Sequence, residues 1–314
     1  MDDAGKDGRV TMKWKKLGQL FCPSGQYSWM QSHAAVPIAW QKSGEEYWVY
    51  FGTRDSHNRP FIGRILIELG KTPSVTEVCK EPILEPGPLG HFDDNGVYPG
   101  CIVKNEERLL MYYLGRSNGA PPLYYMSIGL AQSRDNGRTF ERVIQSPLLS
   151  RSEHDPWIVS TPFVLKENSH WRMWYLSGFK CEMEDNELHS YYHIKYAESP
   201  DGMCWKRDGT VCIDLALGER NISSPTVLHD DGLYRMWFSY VSETGYRIGY
   251  AESSDGITWD RNDADSGIDL SASGWDSESQ SYPHIFEHND TKYLLYSGNG
   301  FGKDGIGIAV EDGN

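Results

Sequence analysis

The chain has 314 residues, of which 39% are hydrophobic and 13% aromatic, and its formal net charge is −14. That acidity opposes nucleic acid and anionic lipid as partners. No apolar run approaches the ~18 residues of a membrane span, and the polar, Gly-rich start from Met1 to Val10 lacks the apolar core of a secretory signal.

Residues 1–11 read as a disordered leader. The next stretch, Trp14-Lys15-Lys16-Leu17, resembles Trp205-Lys206-Arg207 and Trp259-Asp260-Arg261 further along the chain. A repeated unit then begins. Its first strand carries a proline at its head: Val36-Pro37-Ile38, Tyr98-Pro99-Gly100, Thr161-Pro162-Phe163, Ser224-Pro225-Thr226 and Tyr282-Pro283-His284. The prolines stand at 37, 99, 162, 225 and 283, giving steps of 62, 63, 63 and 58. Thirteen positions after each comes an aromatic residue: Tyr50, Tyr112, Tyr175, Phe238 and Tyr296. These mark a second strand packing one layer. A third strand follows, as in Ile128-Gly129-Leu130-Ala131 and Ile248-Gly249-Tyr250-Ala251. Repeats of this length built from short strands indicate propeller blades. The fold class is therefore all-β, a five-bladed β-propeller, with residues 12–314 as one domain.

Three units end on a turn of shared design: Ser133-Arg134-Asp135-Asn136-Gly137, Ser199-Pro200-Asp201-Gly202 and Ser253-Ser254-Asp255-Gly256, each followed by an aromatic ring. Asp accepts backbone hydrogens within such a turn and Gly supplies the positive φ. The turns resemble the Asp-boxes of sialidases, a likeness that implies a folding role. A fourth strand leaves each turn, as in Trp259-Asp260-Arg261. Unit 5 has none before the chain stops at Asn314. Residues about 12–22 are expected to supply it and close the ring, which removes exposed sheet edges. Gly298-Asn299-Gly300-Phe301-Gly302 follows a strand without opening a helix, so it reads as a bend.

The six cysteines form no CxxC pair, so no zinc site is indicated. Scattered through the repeats, they read as buried free thiols and point to the cytoplasm. No metal or other cofactor is expected.

In a propeller the residues just before each inner strand face the mouth of a central funnel. Five positions before the prolines stand Ser32, Asp94, Trp157, Arg220 and Glu278. Four before stand His33, Asn95, Ile158, Asn221 and Ser279. Carboxylates, cations and an indole converging from distant sequence suit a sugar, since paired carboxylates can perform acid/base work. Asp94, Glu278, Asp93 and Asp155 are the candidate catalytic acids. His33, Arg54, Arg116, Trp157, Arg220, Asn221, Tyr98 and Tyr282 are the candidate substrate ligands. Each has a plainer alternative. Asp94-Asn95-Gly96 is a good turn sequence, Asp93 and Asp155 suit turn caps, Glu278 lies in a polar loop, and Arg220 adjoins Glu219.

The five units, their Pro-headed inner strands and the ending Tyr296-Ser297-Gly298-Asn299-Gly300-Phe301-Gly302 resemble the five-bladed β-propeller glycosidases. That superfamily includes arabinanases, invertases and mannoside phosphorylases. The likeness spans residues about 12–310 and implies a carbohydrate substrate. It departs at one point. In the arabinanase-like and invertase-like groups the catalytic acids sit at or just before the inner-strand prolines. Here those positions hold Val36, Tyr98, Thr161, Ser224 and Tyr282, and one residue earlier Ala35, Val97, Ser160, Ser223 and Ser281. None is acidic. Three expectations follow. The first is a glycoside hydrolase-like enzyme acting on a glycosidic bond in the funnel. The others are a propeller enzyme of small-molecule or polysaccharide biosynthesis without the triad, and a non-catalytic sugar-binding protein.

Overall fold

The computed structural model describes residues 12–119, 124–184, 187–242 and 244–312; the leader expected over residues 1–11 lies outside them. The chain opens with β1 (Trp14–Phe21). Four blades of four strands follow, each an antiparallel meander. The first runs β2 (Ser32–Ser43), β3 (Glu46–Arg54), β4 (Pro60–Glu68) and β5 (Ser74–Val78). The second runs β6 (Val97–Asn105), β7 (Arg108–Asn118), β8 (Tyr124–Ser133) and β9 (Glu141–Arg142). The third holds β10 (Val159–Glu167), β11 (His170–Glu184), β12 (Glu187–Ser199) and β13 (Val211–Ile213). The fourth holds β14 (Ile222–Asp230), β15 (Leu233–Ser242), β16 (Gly245–Ser253) and β17 (Asp260–Arg261).

The fifth blade is completed from both ends of the chain. β18 (Ser281–His288), β19 (Thr291–Ser297) and β20 (Ile306–Glu311) pair in order, and β1 adds antiparallel to β20 with Trp14 opposite Glu311 and Lys16 opposite Ala309. The N-terminal strand thus closes the ring as expected. Apolar clusters fill the five interfaces between neighbouring sheets. Trp174 and Trp237 are the largest fully buried side chains, and each indole donates to a backbone carbonyl outside its own blade, of Gly256 and Ser266 respectively. Burying such a ring is worth about 1.5–3 kcal/mol.

The thirteen-residue offset needs correcting. Every aromatic it selects is fully buried, but they point to two faces. In strand register Tyr50 and Tyr112 match Trp174, while Tyr113 and Phe51 match Tyr175, Phe238 and Tyr296. One additional residue lies in the first hairpin and one in the second bulge. A single step along a strand moves a side chain to the opposite face. Tyr50 and Tyr112 therefore reach across to the carbonyls of Gly137 and Gly202 in the next blade.

The Asp-turns are structural. Asp201 Oδ1 accepts the backbone hydrogens of Cys204 and Met203, and Asp255 Oδ1 those of Thr258 and Ile257. These bonds hold both carboxyls below the usual range. A depressed carboxyl pKa stabilises the fold above the unfolded value of ~3.9 and loses that contribution as pH falls through the folded value. The urea midpoint is accordingly expected to fall steeply below about pH 4, and less steeply in the Asp201→Asn/Asp255→Asn double variant. Parallel acid limbs for the two proteins would remove these turns from the acid response.

All six cysteines are unpaired, and only Cys79, Cys101 and Cys212 are buried; Cys22 and Cys204 are exposed, which corrects the expectation of uniformly buried thiols. The glycine-rich ending forms the expected bend, a short turn at Asn299–Gly302 with positive φ at Gly300 and Phe301. Among the described residues no helix is long and apolar enough to cross a membrane.

Candidate functional site

Each inner strand carries a bulge at its proline. In four of them the residue before the proline takes positive φ: Val36 at 53°, Thr161 at 38°, Ser224 at 52° and Tyr282 at 57°. That region is costly for β-branched residues, and a following proline disfavours helical conformations further. Bulges re-aim side chains, and strain of this kind gathers at functional sites. Here they turn the pre-proline positions toward the propeller axis. Ala35, Val36, Tyr98, Ser160, Thr161, Ser223 and Tyr282 all line one central cavity of about 380 Å³. This volume lies within the range of small-molecule sites.

The register where propeller glycosidases keep their acids thus does face the funnel, and it is filled by neutral residues. The remaining lining is aromatic, cationic and aliphatic, the last from Leu114, Met126, Ile158 and Leu176. Arg54 comes from the end of β3, Arg116 from β7, Tyr124 from β8, Tyr192 from β12, Tyr246 from β16 and Phe301 from the turn after β19. Arg54 Nε donates to the Tyr98 hydroxyl at 3.1 Å and its Nη1 to Asn58 Oδ1 at 2.9 Å. The Arg116 guanidinium lies 5.5 Å from the centre of the Tyr124 ring. Tyr192 and Tyr246 hydroxyls meet at 3.3 Å, and the Tyr246 ring stands edge-on to Phe301 at 5.2 Å. Gly52 makes room for the Tyr98 ring, since a Cβ there would lie 2.0 Å from it. Burial raises the phenols of Tyr192 and Tyr282 well above their ordinary value, and those of Tyr124 and Tyr246 as well. They stay protonated and serve as hydrogen-bond donors. Among the described residues no carboxylate lines this cavity.

Four of the sequence candidates belong to this lining: Arg54, Arg116, Tyr98 and Tyr282. The candidate acids lie elsewhere. Asp93 is fully buried, accepting from the Tyr113 hydroxyl at 2.8 Å and pairing with Arg142 at 2.8 Å. Asp155 is equally buried and accepts from Tyr175 at 3.1 Å, Ser177 at 2.7 Å and Arg207 at 2.8 Å. Asp276 repeats the design with Tyr296 and Lys16. In each case a carboxylate below the rim ties the segment before the inner strand to the second strand of its blade and to a cation on or just before the fourth. In the fourth blade Glu219 pairs with Arg261, and Phe238 stands where the tyrosine would be.

Asp94 caps a turn by accepting the Gly90 N–H at 2.8 Å, and faces a separate shallow depression beside Ser117 and Asn118. Glu278 is exposed, and its backbone N–H donates to Asn299 Oδ1 at 2.8 Å. The structure therefore does not bring the four acids together in the funnel. His33 Nδ1 lies 2.8 Å from Ser32 Oγ, and burial, then Arg54 and Lys303, push its pKa down to about 4, so it is neutral at pH 7. Trp157 is buried behind the wall, packed on Tyr124 at 5.7 Å. Arg220 is exposed beside His189 in an outer groove. Asn221, with its amide oriented to satisfy both ends, accepts from the Tyr192 hydroxyl at 3.3 Å and donates to the Ser190 carbonyl. It supports the lining from behind. Among the described residues no group of three or more His, Cys, Asp or Glu is placed to hold a metal ion.

Tyr124, Tyr192, Tyr246 and Phe301 were not legible from the proline register, because they sit on third strands and in a turn. The available signal was positional. Arg54 and Arg116 end second strands, so the residues that open third strands lie at the same rim.

This architecture is that of the five-bladed glycoside hydrolase propellers. A family-43 glycoside hydrolase superimposes with a TM-score of 0.63 at 16% identity, over 90% of this chain and 88% of that one. A glycosyl hydrolase from Bacteroides ovatus gives 0.69 at 14%, over 98% and 92%, and BT0996, solved as a complex with RGII, gives 0.70 at 14%, over 95% and 92%. At these identities the likeness is one of fold. No family model matches the sequence. The chain belongs to the family of the uncharacterized Mycobacterium tuberculosis proteins Rv1502 and MT1551, from strains H37Rv and CDC 1551. Each is 38% identical over 300 residues, covering 95% of this chain and 99% of the relative.

Proposed function

We propose that this protein is a carbohydrate-active propeller that seats a sugar in its central funnel, and that it works without the two-carboxylate machinery of propeller glycosidases. It is best read as a triad-less propeller of cytoplasmic glycan or small-molecule biosynthesis. The observation that carries this is the lining itself. Aromatic rings suit the apolar faces of a pyranose, five tyrosines and three Ser/Thr residues offer partners for its hydroxyls, and the positions reserved for acids hold neutral side chains. The fold likeness to glycoside hydrolases supports a carbohydrate ligand. Calorimetry with a panel of monosaccharides and sugar phosphates tests it. Saturable binding that weakens about tenfold or more in Tyr192→Ala is expected; absence of binding by every sugar tested would contradict it.

A second reading, cleavage of a glycosidic bond, is favoured by one observation: Glu278 and Asp94 are the two candidate acids left outside the buried ion pairs. If they serve cleavage, Asp94→Asn and Glu278→Gln each lower glycoside turnover by about 100-fold or more. The first reading predicts no glycoside turnover in the wild type and unchanged sugar binding in both variants.

A further inference from the structure

We propose that the funnel ligand carries an oxyanion, a phosphate or a carboxylate attached to the sugar, and that Arg54 and Arg116 grip it. This rests on the reading of the funnel as a sugar site and adds the charge class of its ligand.

Two cations in the funnel wall lack a matching charge. The chain has 44 acidic residues against 30 basic ones, so a cation has carboxylates to spare. Elsewhere in the propeller, the well-shielded cations use them. Arg142 pairs with Asp93, Arg207 with Asp155, Arg261 with Glu219, and Lys16 with Asp276. Arg54 and Arg116 are half-buried in the funnel wall, and neither forms an ion pair among the described residues. The Nε of Arg116 is buried and has no hydrogen-bond partner. Among the described residues the Arg54 guanidinium is held by a phenol and an amide, both of which leave its charge uncompensated.

Half-burying two cations without counter-charge costs part of their hydration, and a ligand anion offsets that cost. A guanidinium presents parallel N–H donors that match phosphate and carboxylate oxygens two at a time. The neighbouring donors agree. The Tyr282 phenol stays protonated and donates, and Ser160 Oγ is buried at the cavity without a partner. The cavity offers many donors, and among the described residues no anionic side chain lines it to repel an anion.

The test is calorimetry on the full chain with glucose, glucose 1-phosphate, glucose 6-phosphate, glucuronic acid, UDP-glucose and inorganic phosphate. Wild type and Arg54→Gln/Arg116→Gln are compared, with Arg54→Lys/Arg116→Lys as the charge-retaining control. Melting curves verify that the variants fold. At least one anionic sugar is expected to bind about tenfold or more tighter than glucose, to weaken as NaCl rises, and to lose that advantage in the Gln variant but only part of it in the Lys variant. The phosphate and carboxylate arms separate the two sources of the anion. Binding of inorganic phosphate with no sugar preference, lost in the Gln variant, would keep the anion site and overturn the sugar reading. Equal binding of glucose and every anionic sugar, or an anion advantage that persists in the Gln variant, would overturn the anion site and keep the sugar reading.

Discussion

Deletion of residues 1–22 is expected to yield aggregated protein. That segment contains all of β1, the outermost strand of the fifth blade. Removing it bares the hydrogen-bonding edge of β20 and takes Trp14 out of the interface it shares with Trp237 at 6.0 Å between ring centres. It also strips Lys16 from the buried carboxylate of Asp276. An unpaired strand edge is a template for intermolecular pairing. An uncompensated buried charge costs about 3–5 kcal/mol, on top of the lost packing of the indole, about 1.5–3 kcal/mol. These losses together approach the ~5–15 kcal/mol that a whole domain commands. Size-exclusion chromatography with light scattering reads the result. A truncated chain that stays monomeric and melts at the wild-type temperature would contradict closure by β1.

The second large effect concerns Asp155. Its two oxygens receive Tyr175, Ser177, Ser152 and Arg207, and Lys195 stands 3.8 Å away. With the carboxylate fully buried and so engaged, its work is to hold the blade together. Asp155→Ala is expected to destabilise the protein by about 3–5 kcal/mol, because two shielded cations lose their counter-charge. Asp94→Asn, at an exposed turn, is expected to change stability by less than about 1 kcal/mol. Urea denaturation distinguishes them. Similar midpoints for Asp155→Ala and wild type would free Asp155 from this structural role and return it to the candidate acids.

The architecture was legible because a propeller writes its period into the chain. A proline in each inner strand, a buried aromatic in each second strand and an Asp-turn ending three of the units recur at fixed places. Ring closure was legible for the same reason, since Trp14-Lys15-Lys16 repeats the pattern of Trp205-Lys206-Arg207. The two faces of the second strand were less so. A one-residue bulge shifts every later side chain, and the proline count carries no mark of it.

The site was half legible, for a reason that lies in the bulges. Counting back from the prolines assumes a regular strand, whereas positive φ at Val36, Thr161, Ser224 and Tyr282 redirects the chain there. The pre-proline residues consequently enter the funnel, while Asp93 and Asp155 fold beneath its rim onto Tyr113 and Tyr175. Arg54, Arg116, Tyr98 and Tyr282 were found because cations and phenols near strand ends reach the rim. Asp93 and Asp155 lie apart from the funnel because each is buried against a matched arginine, a role that uses the same residue type as an open catalytic one. Only the partners, Arg142 and Arg207, separate the two, and both come from distant sequence.

Whether a sugar sits in the funnel on tyrosines and arginines is read most directly from a crystal structure of the protein soaked with glucose 1-phosphate, glucuronic acid and their neutral parent. A pyranose is expected against Tyr192, Tyr246 and Tyr282, with its anionic group within hydrogen-bond distance of Arg54 or Arg116. A sugar bound instead between Asp94 and Glu278, or a funnel left empty while sugar occupies another groove, would contradict this placement.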